Sequence, residues 1–363
     1  MMAHPDPVRV GFVGCGAVTQ HYHFPALRTL ADVAVVAVAD LDADRAEAAA
    51  RLLRVSHRYT DVQGLLGDPA VEAVAVCVPP QWHAEIGLAA LDAGKHLFVE
   101  KPVTLRLDEC DRLIACAAEA RRQAMVGFNF RWHRLVRRAR AMIRGGALGE
   151  PAAIRSVLTA GSHLGAADPG WRRHRSAGGG AFHDMGVHHF DLWRYLTGLD
   201  VEEVIAVSRS PAADDGIASV AAAMRGGALA SALFSAQTSE ANEVEIFGPR
   251  GSVRLDCYRY DGLQFLPAGT GPGSVGMRLR RSAASLRELP SVVAHMRTGG
   301  ELLHMYREEW RHFAAVIRDG APLECTLDDG RRVLAVSLAA AESAARSRPV
   351  RVTEPGGLPE VHG

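Results

Sequence analysis

Five short runs in the first third of the chain, nearly continuous in valine and alanine, constrain the fold more than any other feature: VRVGFVG (8–14), VAVVAVAD (33–40), VAVCVPP (74–80), HLFVEKP (96–102) and AMVGFN (124–129). A strand with one wet face alternates polar and apolar residues. These runs do not alternate, as expected of parallel strands covered on both faces. Helical patterns fill the intervals at 17–30, 42–54, 81–93 and 105–122. In the last, Leu107, Cys110, Leu113, Ile114 and Ala117 share one stripe, and Asp108 stands in the first turn, where a carboxylate complements the helix dipole. Strand and helix in this alternation predict an α/β domain built on a doubly wound parallel sheet.

Past about residue 150 the pattern changes. AAIRSVLTAG (152–161), VEEVIAVSRS (201–210) and ASVAAAMRGGALASALFSAQT (218–238) are strand-like, and Gly226-Gly227 marks a hairpin turn in the third. EVEIFGPRGSVRLDCY (243–258) repeats the arrangement around Pro249-Arg250-Gly251. Successive hairpins imply an α+β domain with an open, largely antiparallel sheet. Residues 259–300 show no period and read as a variable excursion; helices near 302–319 and 327–346 and a final PVRV strand follow. At 363 residues the chain fits two domains, 1–127 and 128–363, the last helix and strand being free to return to the first.

Lys plus Arg and Asp plus Glu both number 41, so no charge excess draws the chain to nucleic acid or an anionic membrane. The basic stretch RWHRLVRRARAMIR (131–144) places its charges beside Leu135, Val136, Ala139, Met142 and Ile143 at helical spacing, as a solvated helix face would. Six scattered cysteines form no Cys-x-x-Cys pair, which argues against a disulfide framework or zinc ribbon. The N-terminal residues lack a secretory pattern, no apolar run approaches the roughly 20 residues of a membrane span, and the cytoplasm is the expected compartment.

Gly14-x-Gly16-x-x-Thr19 follows the first strand and opens a helix through Ala17 and Val18. The first glycine permits a tight turn, and the second lets a pyrophosphate reach backbone N–H groups at the helix start, as in a Rossmann dinucleotide site. Thr19 stands where Gly or Ala is usual, so helix and strand are expected to pack slightly further apart. Asp40 ends the second strand at the place where an acid meets a ribose 2'-hydroxyl. An acid there favours NAD over NADP, although Arg45, five positions on, offers a phosphate partner.

Glu100-Lys101-Pro102 ends another buried strand, at the edge where open α/β sheets bind ligands, and a lysine there can hydrogen-bond a substrate hydroxyl or relay its proton. GGGAFHDMGVHHFD (178–191) packs three histidines and two aspartates behind a run of glycines. Asp184 and His188 are four apart and share a helix face, with Asp191 three further on. A metal site, a polar helix start and a proton-transfer site all use such residues. His183 and His188 are five apart and His188 and His189 adjacent, which are poor spacings for two ligands on one face; proton transfer is the reading the spacing favours.

The order of these motifs resembles the Gfo/Idh/MocA family of NAD(P)-dependent oxidoreductases. The glycine fingerprint, VPPQWH (78–83), EKPV (100–103), GFNFRWH (127–133), ALGEP (147–151), GGGAFHDMGVHHFD, IFGPRGSVRLD (246–256) and DDGRRVLAVSLAAAESA (328–344) carry the resemblance over nearly the whole chain. It implies that Lys101 hydrogen-bonds the reacting hydroxyl, that His188 is the general base, and that Asp184 binds a neighbouring hydroxyl or orients the site. It also implies cofactor contacts from Gly14, Gly16, Ala17, Val18, Asp40, Arg45, Pro79, His83, Glu100, Lys101, Asn129, Trp171 and Arg172, with no metal. His183, His189 and Asp191 receive no role. Thr19 and Pro80, where Asn is commoner, depart from the family pattern.

The expected activity is hydride transfer between NAD, or NADP, and a secondary hydroxyl or ketone of a sugar, sugar derivative or cyclitol. A nucleotide-sugar or antibiotic-sugar enzyme is a variant of the same reading; a non-catalytic NAD-binding regulator and a metal-dependent hydrolase are the competitors from other classes. An open sheet with an apolar face must be covered, so a homodimer or homotetramer is expected, with a small polyol or sugar as the other partner.

Overall fold

The computed structural model describes residues 6–161, 170–210, 213–270 and 299–353, together with single positions between 274 and 293. Six strands, β1 (Val8–Val13), β2 (Val33–Ala39), β3 (His57–Tyr59), β4 (Ala73–Val76), β5 (His96–Glu100) and β6 (Ala124–Gly127), form an all-parallel sheet in the order β3-β2-β1-β4-β5-β6. Every residue of β4 and β6 is buried, which is why neither shows a polar alternation in sequence. The order reverses between β1 and β4, and such a switch point opens a crevice beyond the carboxyl ends of the strands.

β3 and the short helix Val62–Leu66 have no counterpart among the expected elements. His57 and Arg58 are exposed, so this three-residue strand lacks the apolar run that announced the others. The first compact unit takes in Met1–Trp132 and also Leu302–Arg331. An aromatic cluster explains the second part: Trp310 of helix Gly300–Asp319 is fully buried and stacks on Phe98 of β5 with ring centroids 4.5 Å apart.

The second unit, His133–Glu301 with Arg332–Gly363, holds an eight-stranded sheet. Its strands are β7 (Ala153–Thr159), β8 (Val201–Arg209), β9 (Ile217–Met224), β10 (Leu229–Ser235), β11 (Ala241–Gly248), β12 (Gly251–Asp256), β13 (Gln264–Pro267) and β14 (Val350–Arg351). The order is β13-β12-β11-β7-β10-β9-β8-β14, and only the β7–β10 pair is parallel. β13 lies inside the stretch expected to be an irregular excursion, and the described positions from 275 to 293 are helical; the other residues of 271–298, apart from 274, lie outside the described residues.

Burial along β8, β9 and β10 alternates with period two. The inward residues meet helix Val187–Thr197, where Phe190 packs edge-on to Phe234 and the Trp193 indole N–H donates to Ser156 Oγ at 3.0 Å. The outward set leaves Ile205, Val207, Leu229 and Leu233 exposed, an apolar face on an otherwise ordinary surface. All six cysteines are free. Among the described residues no helix is long and apolar enough to cross a membrane.

Candidate active site

The carboxyl ends of the parallel strands bring the fingerprint, Asp40, the Cys77–Pro79 loop, Glu100-Lys101 and Asn129 to one edge of the first sheet. Gly14 follows β1 with φ +97°, and a Cβ there would lie 2.4 Å from the Cys77 carbonyl oxygen, so only glycine fits. A Cβ on Gly16 would meet nothing within 4 Å. That open space beside the start of a helix is the cradle a pyrophosphate requires.

Thr19, which departs from the usual Gly or Ala, makes a contact of its own in the turn. It is fully buried, and its hydroxyl donates to the Gly14 carbonyl at 2.8 Å, so the side chain fastens the helix to the fingerprint backbone. The helix widens into a π turn at Thr19–His23, which accommodates the extra atoms.

Asp40 Oδ2 accepts the Cys15 N–H at 2.8 Å and Oδ1 accepts the Asp42 N–H at 2.9 Å. Arg45, half-exposed, makes its close pair with Asp42 at 2.9 Å and reaches Asp40 only at 3.7 Å. Gly14, Gly16, Asp40, Arg45 and Pro79 line one cavity of about 420 Å³, whose apolar wall includes Val62, Trp82 and Ile86. Ala17 is exposed and Val18 half-buried at the same helix start.

Two residues expected among the cofactor contacts turn their polar atoms into the protein instead. His83 is fully buried, its ring nitrogens 2.9 Å from the Val78 and Pro102 carbonyl oxygens, so it ties the loop after β4 to the loop after β5. Burial pushes its imidazole down despite those two acceptors. Glu100 is buried, with Oε1 3.0 Å from His23 Nε2 and Oε2 accepting the Lys101 N–H at 3.1 Å. Pro80 opens a 3₁₀ turn, Pro80–Trp82, that leads into His83.

Asn129 behaves differently. It is buried, and its Oδ1 has no hydrogen-bond partner within the protein, an unmet acceptor at the cofactor edge. The open cradle at Gly16, the acid at Asp40 and this acceptor fit a dinucleotide. Arg131, two residues on, was read as part of a solvated basic face; it is buried instead, pairing with Asp329 at 2.9 Å. Asp329 and Thr326 exchange two hydrogen bonds of 3.1 Å that cap helix Leu327–Arg346, so one ion pair pins the Asn129 loop to a helix start.

In the second unit, Gly180 adopts φ +81° with its Cα against the Asp214 carbonyl and starts a π turn, Ala181–Gly186, that runs into helix Val187–Thr197. From Ala181 to Trp193 only Asp184 and His188 are other than buried. A regular helix would offset residues four apart by about 40°. The wider π turn that contains Asp184 changes that offset.

The other histidines belong to the core. His183 Nδ1 is 2.6 Å from Ser337 Oγ, and His189 Nε2 is 3.1 Å from Asn242 Oδ1. Burial pushes each imidazole down to about 4. Asp191 is buried as well. Trp171 and Arg172 form a short 3₁₀ turn, Trp171–Arg173, that sets Arg172 Nε 3.7 Å from Asp184 Oδ2. Arg175 holds this loop through Asp215, its Nε 2.8 Å from Oδ2.

Comparison with known proteins agrees with this arrangement. Residues 8–128 match the oxidoreductase family model described as an NAD-binding Rossmann fold, and residues 136–254 match the GFO/IDH/MocA C-terminal domain. An uncharacterised oxidoreductase of Rhizobium meliloti is 30% identical over 329 residues, 89% of this chain and 92% of that protein. The myo-inositol 2-dehydrogenase of Thermotoga maritima is 29% identical over 356 residues, 96% of this chain and 99% of that enzyme. The crystal structure of an oxidoreductase domain protein from Kribbella flavida superposes with a TM-score of 0.81 at 25% identity, covering 96% of this chain and 100% of that one. The chain belongs to the Gfo/Idh/MocA family of oxidoreductases, with an NAD-binding Rossmann domain at its N-terminus.

Proposed function

We propose that this oxidoreductase interconverts a secondary hydroxyl and a ketone on a sugar, sugar derivative or cyclitol, using NAD in preference to NADP. The observation that carries the chemistry is that, from Ala181 to Trp193, Asp184 and His188 alone are partly exposed. The relative named for myo-inositol supports the substrate class.

Gly14, Gly16, Ala17 and Val18 would hold the pyrophosphate, Asp40 the adenosine ribose, and Pro79, Asn129, Trp171 and Arg172 the remainder of the dinucleotide. When bound, the dinucleotide would supply hydride-transfer chemistry at the substrate carbon in either direction. His188 takes the hydroxyl proton in the oxidative direction and gives it back in the reductive one. Lys101 hydrogen-bonds the same oxygen and stabilises the negative charge it gathers as the proton leaves. Asp184 accepts from a neighbouring hydroxyl, which fixes the ring; the Arg172 guanidinium beside it limits the local excess of negative charge. His83 and Glu100 act on loop geometry rather than on the cofactor itself.

The exposed face carrying Ile205, Val207, Leu229 and Leu233 supports a homo-oligomer in which a second copy covers it. The balanced charge supports an enzyme without nucleic-acid or membrane partners, for which the cytoplasm is the proposed compartment.

Nicotinamide absorbance, followed with NAD and with NADP across inositols, aldoses, sugar phosphates and nucleotide sugars, tests the reading with Lys101→Ala as control. Turnover with one class of polyol, abolished in Lys101→Ala, is the expected result. NAD binding without turnover of any compound would overturn it in favour of a regulator.

A further inference from the structure

Beneath the Glu100-Lys101-Pro102 loop runs a buried chain of hydrogen bonds that the proposed chemistry does not use. The Trp310 indole N–H donates to His23 Nδ1 at 3.0 Å, and His23 Nε2 lies 3.0 Å from Glu100 Oε1. Glu100 Oε2 then accepts the Lys101 backbone N–H at 3.1 Å. An indole N–H only donates, so His23 Nδ1 must be the bare nitrogen. Nε2 therefore carries the proton and gives it to Glu100. The chain has one direction throughout, and both carboxyl oxygens of Glu100 serve as acceptors.

His23 cannot turn out of this arrangement cheaply. It is fully buried, and its ring is boxed by Phe12, Phe98, Tyr306 and Trp310 with centroids 4.8 to 5.8 Å away. The groups that bear on Glu100 are His23 from the first helix, Cys77 after β4, His83 from helix His83–Asp92, Tyr306 and Glu309 from helix Gly300–Asp319, and Lys101 beside it. Burial pushes the Glu309, Tyr306 and Cys77 groups well above their ordinary values, so they keep their protons and add no competing negative charge.

We propose that Trp310 and His23 are positioning residues for the reaction: they aim Glu100 so that its second oxygen anchors the Lys101 backbone and sets where the lysine side chain leaves the strand end. The proposal rests on Lys101 being the lysine of the proposed reaction. A residue that merely fills the core would act on stability alone; a positioning residue acts on kcat through the lysine, and its effect is recovered by any side chain that restores the two bonds.

His23→Leu keeps bulk and removes both bonds, Trp310→Phe keeps a ring against Phe98 and removes the N–H with part of the indole volume, and His23→Gln can donate to Glu100 while accepting from the indole. In His23→Leu and Trp310→Phe, kcat is expected to fall about 10- to 100-fold with the KM for NAD within about twofold, and His23→Gln to recover most of the loss. Amide hydrogen exchange at Lys101 is expected to quicken in the first two variants and return toward wild type in the third. If His23→Leu does not fold, Trp310→Phe decides alone. Wild-type kcat and wild-type exchange in Trp310→Phe would overturn the proposal. Absence of turnover in the wild type itself would instead mark failure of the functional reading, and the exchange measurement would still report whether the anchor exists.

Discussion

Asp40 Oδ2 accepts the backbone N–H of Cys15 at 2.8 Å, so the acid that ends the second strand is fastened to the loop that follows the first. The fingerprint loop and Asp40 are thus tied together, and Arg45 is drawn to Asp42. A 2'-phosphate bound at the end of the second strand would be repelled by this carboxylate.

Asp40→Ala removes that repulsion along with the ribose contact proposed for Asp40. A hydrogen bond to a charged group contributes about 1.5–3 kcal/mol, so kcat/KM with NAD is expected to drop about 10- to 100-fold while the ratio of NADP to NAD use rises. Initial rates with the two cofactors measure both. An unchanged ratio would remove Asp40 from cofactor selection.

The fold was legible because buried parallel strands leave continuous Val and Ala runs, and the glycine turn and Asp40 sit at fixed distances along them. The spacing of Asp184 and His188 places them on one helix face, and they are the two residues from Ala181 to Trp193 that are not buried. The histidine cluster was harder to read: His183 and His189 look alike in sequence, and only the helix phase, altered by the π turn, decides which imidazole reaches solvent. Arg131 was misread because its partner Asp329 lies 198 positions away. The Trp310–His23 bond spans 287 positions and has no local signature.

Arg131→Ala leaves Asp329 buried without its cation. Breaking a buried pair on one side costs about 3–5 kcal/mol, so the midpoint of urea unfolding is expected to fall substantially, and Arg131→Lys to recover only part of it. An unchanged midpoint would mean that the pair contributes nothing net.

His183 and His189 are held neutral in the folded protein, at about 4, whereas an unfolded histidine titrates near 6.5. Between those values the unfolded chain binds the extra protons, so stability is complete above about pH 6.5 and is lost as pH falls toward 4, on the order of 3 kcal/mol for each residue. Unfolding free energy measured across this window is expected to show a shallower slope in His189→Asn than in wild type. An identical slope would contradict the buried neutral ring.

The exposed apolar face predicts that Val207→Lys with Leu229→Lys lowers the oligomeric state while leaving the fold intact. Light scattering after size exclusion reads the mass directly. A monomeric wild type would remove the predicted oligomer, and an unchanged assembly in the double variant would place the interface elsewhere.

The most direct test of the account is the kcat of His188→Ala on the identified polyol, beside its affinity for NAD. If the solvent-reaching imidazole removes the hydroxyl proton, kcat falls about 10²- to 10⁴-fold and the affinity for NAD holds. A His188→Ala enzyme that turns over at the wild-type rate would contradict the proton-transfer role on which the account depends.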